Sequence, residues 1–197
     1  TEFLSCRISA AEVSFAHALE EAGFRLCDTM NIYCGELQNS GSVIQGHRAD
    51  IDGYVEQFLE GYEFGRFFED PMIGVDTASR ALLEATQNIL EDDCHVTVVR
   101  EVGTCVGIAI GVEDRALSKS LCREAGVLWL ILVDPKYRNR GVGKKLLSQF
   151  FTEVSAHWQF LEIGTQLANY GANQLYLSAG FPLSAQALTF HRWQSLG

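Results

Sequence analysis

Between Val127 and Gln149 the chain reads Val-Leu-Trp-Leu-Ile-Leu-Val-Asp-Pro-Lys-Tyr-Arg-Asn-Arg-Gly-Val-Gly-Lys-Lys-Leu-Leu-Ser-Gln, and that order leaves few folds open. The first seven residues are apolar, enough for a strand buried on both faces and too few to cross a membrane. Pro135 ends the strand, because proline has no N–H for a ladder and its φ is fixed. Arg138 to Gly143 form a basic turn with two glycines, and Leu146, Leu147, Phe150 and Phe151 then return at helical spacing. A strand, a glycine-bearing basic turn and a helix start, in that order, make an anion site. Backbone N–H groups of the turn and first helical turn have no helical partner, the helix dipole favours negative charge, and glycines let a phosphate come close.

Three kinds of phosphate site use such a turn. A Walker A loop needs four residues between its glycines and a Ser or Thr after the lysine, and neither is present. A dinucleotide fingerprint needs a third glycine where this chain has Leu146. The pattern Arg/Gln-x-x-Gly-x-Gly/Ala does match over Arg138 to Gly143. The stretch therefore resembles motif A of the Gcn5-related N-acetyltransferase (GNAT) superfamily, in which this loop holds the pyrophosphate of acetyl-CoA. A second constellation, Asn169-Tyr-Gly-Ala172-Asn-Gln-Leu175-Tyr176-Leu-Ser-Ala-Gly180-Phe181, resembles motif B of the same superfamily at every anchor. The two motifs stand in the right order with a strand between them, and the match covers roughly residues 77 to 193.

Charge and cysteine usage agree with a small polyanionic ligand. The formal net charge is −10, which argues against nucleic acid or an anionic membrane as a partner. Yet five of the fifteen basic residues (Lys136, Arg138, Arg140, Lys144 and Lys145) fall within ten positions. A chain of 197 residues suits one domain, or one with a small appendage. Six cysteines (Cys6, Cys27, Cys34, Cys94, Cys105 and Cys122) show no Cys-x-x-Cys pairing and no histidine at metal-ligand spacing. The expectation is reduced, buried thiols in a cytoplasmic protein without a metal. No signal peptide or transmembrane run is visible, and the opening Thr1 implies a trimmed start.

Read in order, Ser5 to Gly23 predicts an amphipathic helix carrying Val13, Phe15, Ala16 and Leu19, with Ser9 as cap and Glu12 three residues on. Phe24 to Leu37 alternates as one or two strands. Gln38 to Gly46 reads as a polar linker, so residues 1–45 form a small αβ extension ahead of an acyltransferase domain at 46–197. Helices are predicted over Asp50 to Gly65 and Thr77 to Leu90, followed by a hairpin of His95 to Glu101 and Thr104 to Val112 turning at Val102-Gly103. After the central strand, with Trp129 in its core, come the phosphate helix, a strand from Phe160 to Thr165, a helix from Ala172 to Ala179 and a closing strand from Leu188 to Trp193. That order is the acyltransferase one, so the predicted class is α/β, a mixed central sheet flanked by helices.

The superfamily resemblance implies direct attack of a neutral amine on the thioester of an acyl-CoA. Motif A assigns Arg138, Asn139, Arg140, Gly141, Val142, Gly143 and Lys144 to the acetyl-CoA (or other acyl-CoA) pyrophosphate. Backbone N–H groups of Leu132 or Val133 are the candidates to polarise the carbonyl, Asn169 to bind the pantetheine or cap a helix, and Tyr176 to act as general acid on the leaving sulfur. Three further segments, Gly23 to Thr29, Gly65 to Pro71 and Phe190 to Trp193, look like the bacterial TDP-fucosamine acetyltransferases and related sugar N-acyltransferases. That narrower resemblance implies an acceptor amine on a nucleotide-linked (TDP) amino-deoxysugar destined for surface polysaccharide. It brings in Phe67, Phe68, Asp70 and His191 as acceptor-site residues, with Tyr62 beside them, and Glu69, Asp70 and His191 as acid–base candidates. Phe190 and Trp193 suit a homodimer seam or a sugar platform equally. An amino acid, polyamine or antibiotic as acceptor, or a non-catalytic acyl-CoA-binding module, are the alternatives.

Overall fold

A computed structural model describes residues 2–38, 51, 53–60 and 62–194. The elements run β1 (Glu2–Ser9), α1 (Val13–Glu21), β2 (Arg25–Glu36), α2 (Tyr54–Leu59), α3 (Val75–Glu91), β3 (Cys94–Glu101) and β4 (Thr104–Glu113). They continue with α4 (Arg115–Leu121), β5 (Ala125–Val133), α5 (Val142–Val154), β6 (Phe160–Gln166), α6 (Tyr170–Ser178) and β7 (Leu183–Gln194). Among the described residues seven strands make one mixed sheet in the order β1-β7-β2-β6-β5-β4-β3, in which β5 and β6 pair in parallel. The predicted α/β class, a mixed sheet flanked by helices, is the observed one.

Side-chain alternation sorts the two faces. Leu128, Ile163 and Tyr33 pack with Leu146, Leu147 and Phe150 of α5 and with Tyr176 of α6. On the opposite face Val96, Ile108, Ile110, Leu130 and Leu132 pack with Val55, Phe58 and Leu59 of α2 and partly with α3. Helix α1 adds Ala16 and Leu19 to a third cluster with Ile8 and Phe190. The C-terminal half of α5 is fastened to β3 by buried Glu153. Its carboxylate meets His95 Nε2 at 3.0 Å and accepts from the Thr97 hydroxyl and from Gln149 Nε2. Gly126 lets α5's following turn close over β5, since a Cβ there would lie 2.3 Å from the Trp158 ring.

Several boundaries differ from those predicted. The helix predicted from Ser5 begins only at Val13, because Glu2–Ser9 pair residue for residue with β7. Ser9 Oγ accepts from the Ala11 N–H at 3.2 Å in a turn between the two elements, and the helix cap position falls to Glu12. Tertiary pairing here overrides a helical apolar spacing. Within the Asp50 to Gly65 prediction, helix occupies Tyr54–Leu59. Helix α4 was not predicted; it buries no residue, so it has no apolar period to read, and Asp114 caps it by accepting from Leu117 N–H at 2.8 Å.

The hairpin does turn at Val102-Gly103, both with positive φ as a two-residue type I′ loop requires. Strands β1 and β2 belong to the same sheet as the rest, with β2 between β7 and β6. The division at 45/46 and most of the Gln38 to Gly46 linker lie outside the described residues. None of the six cysteines forms a disulfide among the described residues, and Cys105 is the buried one, so the expected general burial does not hold. Among the described residues no helix is long and apolar enough to cross a membrane.

Candidate active site

The parallel pairing of β5 and β6 runs from Ala125↔Phe160 to Leu128↔Ile163 and stops, although β5 continues to Val133 and β6 to Gln166. The strands part where β5 carries a bulge. Leu130 lies opposite Ile110 and Leu128 opposite Gly111, so Trp129 is the extra residue. A bulge bends its strand and reverses the alternation beyond it, which is why Leu128 faces α5 and α6 while Leu130 faces α2 and α3. Trp129, predicted as core, is 41% exposed at this bulge, because the extra residue has no inward slot.

Beyond the bulge the ladder decides which backbone groups face the opening. Asp134 N–H donates to Val106 O on β4 at 3.0 Å. Since successive backbone groups alternate direction along a strand, the amide of Leu132 also turns to β4, and those of Ile131 and Val133 turn to the opening. Arg138 Nε reaches Val133 O at 3.2 Å from that side. Of the two predicted donors, Val133 is the one at the opening. Ile131 joins it, a residue that the sequence could not select because the bulge sets the parity.

Below the opening lies the loop from Arg138 to Gly143. Asn139 and Gly141 have positive φ, 60° and 81°. The first helical N–H to find a carbonyl is that of Lys145, on Gly141 O at 3.1 Å. Among the described residues, the N–H groups of 139–144 have no backbone acceptor. A Cβ on Gly141 would meet nothing within 4 Å, so the positive φ requires glycine and the space before it is open. On Gly143 a Cβ would sit 3.5 Å from Leu175 Cδ2, where α6 comes close. Arg140 lies over the Tyr137 ring at 5.5 Å from its centroid, and Arg138, Arg140 and Lys144 are exposed. Unpaired N–H groups, open space and exposed cations fit a pyrophosphate. From Lys144 a cavity of about 490 Å³ continues between α5 and α6, past Leu147, Phe151 and Leu175.

Tyr176 sits on α6, buried, with its ring centroid 5.6 Å from that of Tyr33. Burial, reinforced by Tyr62 and Tyr33, pushes its phenol above the ordinary value, so it stays protonated. The helix beneath it is held by Asn173. Its Oδ1 accepts from Asn31 Nδ2 at 2.8 Å and from Tyr33 OH at 2.6 Å, and its Nδ2 donates to Asn169 O at 2.7 Å. Asn173 occupies a variable place in motif B, which carries no signal for this role. Asn169 Oδ1 accepts from Ala172 N–H at 3.2 Å and caps α6.

On the other face of the sheet, segment 62–73 covers β1, β7 and β2. Asp70, buried, accepts from Met72 N–H at 2.9 Å, Trp193 Nε1 at 3.0 Å and His191 Nδ1 at 2.7 Å. Burial pushes its carboxyl up, but the three donors outweigh it and hold the group below its ordinary value. His191 is enclosed by Phe3 at 4.8 Å and Phe67 at 6.1 Å between ring centroids, and its Nε2 is buried without a partner among the described residues. Asp70 and His191 thus meet each other inside the fold, Glu69 is exposed, and Phe68 packs edge-on to Tyr62 at 6.1 Å. Phe190 is 1% exposed under α1, so it can serve neither as a seam nor as a platform, and Trp193 is engaged with Asp70. Ligand atoms of Cys27, Asp70 and His191 lie within 4.8 Å of one another. Both Asp70 oxygens and His191 Nδ1 are already spent on hydrogen bonds, which leaves that trio a poor cation site.

Next to this corner, sequence reasoning missed Asp28. It follows a bulge in β2, pairs across the sheet with Thr189, and is 5% exposed. Gln166 Nε2, at the end of β6, donates to Asp28 Oδ2 at 3.4 Å. Arg7 on β1 donates through Nε to Thr189 Oγ1 at 3.1 Å. Burial and the charge of nearby Arg66 lower the Arg7 pKa, opposed by Asp28. Arg66 itself lies 4.8 Å from the Phe67 ring centroid.

Known proteins resemble this chain in sequence or in fold. Over 209 aligned residues the chain is 26% identical to the spore coat polysaccharide biosynthesis protein SpsD of Bacillus subtilis (strain 168), covering 98% of this chain and 67% of that one. A GCN5-related N-acetyltransferase from Sphaerobacter thermophilus superposes with a TM-score of 0.61 at 19% identity, over 96% of this chain and 59% of its own. A phosphinothricin acetyltransferase from Sinorhizobium meliloti, in complex with AcCoA, gives a TM-score of 0.51 at 16% identity, over 77% of this chain and 86% of its own. The chain spans less than two thirds of the Sphaerobacter protein's length, and these two structures share its fold. Residues 57–181, which carry the loop, the split strands and the buried tyrosine, match the acetyltransferase (GNAT) family. The chain belongs to that family of N-acetyltransferases.

Proposed function

We propose that the protein moves an acetyl or similar acyl group from acyl-CoA to the amine of a nucleotide-linked (TDP) amino-deoxysugar. The observation that carries the acceptor class is the pair Arg7 and Arg66, with Asp28 close to Arg7, on the face away from the glycine-bearing loop. In a chain of formal net charge −10, two neighbouring guanidinium groups with no salt-bridged carboxylate among the described residues favour a phosphorylated acceptor over a polycation. The likeness to a protein named for spore coat polysaccharide biosynthesis supports the same class.

In this reading the N–H groups of 139–144 and the side chains of Arg138, Arg140 and Lys144 bind the CoA pyrophosphate. Bound there, acyl-CoA supplies the activated thioester. The amides of Ile131 and Val133, freed where β5 leaves β6, hold the pantetheine arm and the carbonyl oxygen, strengthening as that oxygen gains charge. The neutral amine nitrogen adds to the carbonyl carbon, the C–S bond breaks as Tyr176 gives its phenolic proton to the sulfur, and the proton that the new amide nitrogen sheds restores the phenol. Burial serves this step by keeping the phenol protonated until negative charge develops beside it.

Thiol release from acetyl-CoA, measured against TDP-amino-deoxysugars, simple amines and aminoglycosides, tests the acceptor class. Turnover with the TDP-sugars alone is expected; turnover with simple amines alone would remove the sugar reading and leave the family standing. The Tyr176→Phe variant is expected to bind CoA normally and lose roughly 10²–10⁴ in turnover. Full turnover in that variant would remove the acid role.

A further inference from the structure

We infer that Asp28 holds the incoming ammonium at the mouth of the β5–β6 opening and takes the proton that the nitrogen must lose before it attacks. This rests on the acyl-transfer reading above but not on the acceptor being a sugar.

Position comes first. Asp28 lies on the α2 and α3 side of the sheet, opposite the face carrying α5, α6 and Tyr176. Gln166, its hydrogen-bond partner, is the last residue of β6 and forms the lip across from Ile131 and Val133. A nitrogen bound to Asp28 therefore meets the carbonyl from the sheet face opposite Tyr176, which leaves the nucleophile and the acid on separate sides of the opening.

Satisfaction comes second. A buried carboxylate kept for structure is saturated with donors, because an unmade hydrogen bond to a buried charge is costly. Asp70 is saturated in that way; Asp28 receives one long side-chain hydrogen bond and the pull of the Thr29 backbone N–H, and no salt bridge reaches it among the described residues. What completes its coordination is a donor from outside the fold, and an ammonium carries three. Around it stand Arg7 on β1, His191 on β7, Cys27 on its own strand and Tyr62 on the covering segment. Burial pushes its carboxyl above the ordinary value, against the opposing pull of Gln166, Arg7, Thr29 N–H and His191. A carboxylate so raised is a better proton acceptor near neutral pH. One ammonium N–H bond breaks and the carboxylate becomes a carboxylic acid; the amine then adds to the carbonyl carbon, the C–S bond breaks as Tyr176 protonates the sulfur, and the second proton shed by the new amide nitrogen restores the Tyr176 phenol. The carboxylic acid later returns its proton to solvent.

The test is acetyl transfer by wild type and Asp28→Asn across pH, with a TDP-linked amino-deoxysugar and with hydroxylamine, whose nitrogen is already neutral at pH 7. Asparagine keeps the shape and one acceptor but cannot take the proton. Expected with the sugar is a loss of roughly 10²–10⁴ at pH 7, shrinking as pH rises and the free amine deprotonates, with CoA affinity unchanged. With hydroxylamine the loss is expected to be less than about tenfold. Wild type active on hydroxylamine and inert to the sugar would fail the sugar acceptor alone. In that case the Asp28 test is read on an alkylamine against hydroxylamine. Equal losses on both acceptors, or none on either, would overturn the base assignment. The variant Asp28→Glu, which restores a carboxylate one methylene longer, is expected to recover part of the pH profile; a purely structural role would not restore it.

Discussion

Two buried aspartates on one face of the sheet, Asp70 and Asp28, differ in how completely they are satisfied. Three donors converge on Asp70, two of them from β7, and together they pin the covering segment 62–73 to the sheet. At Asp28 one amide donor stands 3.4 Å away, and the nearest cation, Arg7, spends its Nε on Thr189. The same burial therefore has opposite electrostatic results, lowering the first pKa and raising the second. A carboxylate that the fold has filled braces it; one that the fold has left partly empty is available to a ligand.

Removing Asp70 should give the largest effect on stability. Asp70→Ala leaves Met72 N–H, Trp193 Nε1 and His191 Nδ1 buried without their acceptor, and a loss of about 3–5 kcal/mol is expected. Denaturant titration of this variant reads that number directly, and a midpoint equal to wild type would erase the contrast. Asp28→Asn should move the other way at neutral pH, gaining about 0.5–2 kcal/mol by removing a buried, poorly paired charge. A destabilised Asp28→Asn would mean that Asp28 is a second brace.

The pH dependences sharpen the comparison, because the two signs oppose. Asp70 has a folded pKa below its unfolded value of about 3.9, so its contribution is full above that value and fades as pH falls through the folded one. Asp28 has a folded pKa above its unfolded value. Its share of stability is present in acid and is lost as pH rises from about 4 through the raised folded value. Melting series from pH 3 to 8 should show the Asp70→Ala deficit and the Asp28→Asn gain both shrinking toward the acid end. A gain that grows in acid would reverse the assignment of Asp28. The smallest effect is expected from Trp193→Phe, which removes one donor from Asp70 while keeping the ring against Phe3, a loss of about 1 kcal/mol. No measurable change would show that two donors suffice.

Legibility in the sequence followed the range of the interactions. The basic, glycine-bearing turn could be read because all its parts, from Asp134 through the two glycines to Lys144, are neighbours in the chain. Tyr176 and Asn169 could be read because one short helix carries them. The second half of β1, from Ser5 on, reads as helix in sequence because Val13 to Leu19 is helical and the preceding residues have no local signal that β7, more than 170 positions later, will pair with them. Phe190 and Trp193 looked equivalent in sequence, yet alternation on β7 sends the first under α1 and the second against Asp70.

By itself, then, the amino-acid order determined the α/β class, the glycine-bearing turn with its unpaired N–H groups and the tyrosine-bearing helix, since each depends on hydrogen-bond capacity and apolar period within a few residues. The tertiary structure alone decided that Trp129 is the bulged residue, that Ile131 and Val133 rather than Leu132 face the opening, and that Asp28 sits there with Gln166. Those facts are set by register between strands distant in sequence, where a shift of one residue reverses every side chain and every N–H beyond it.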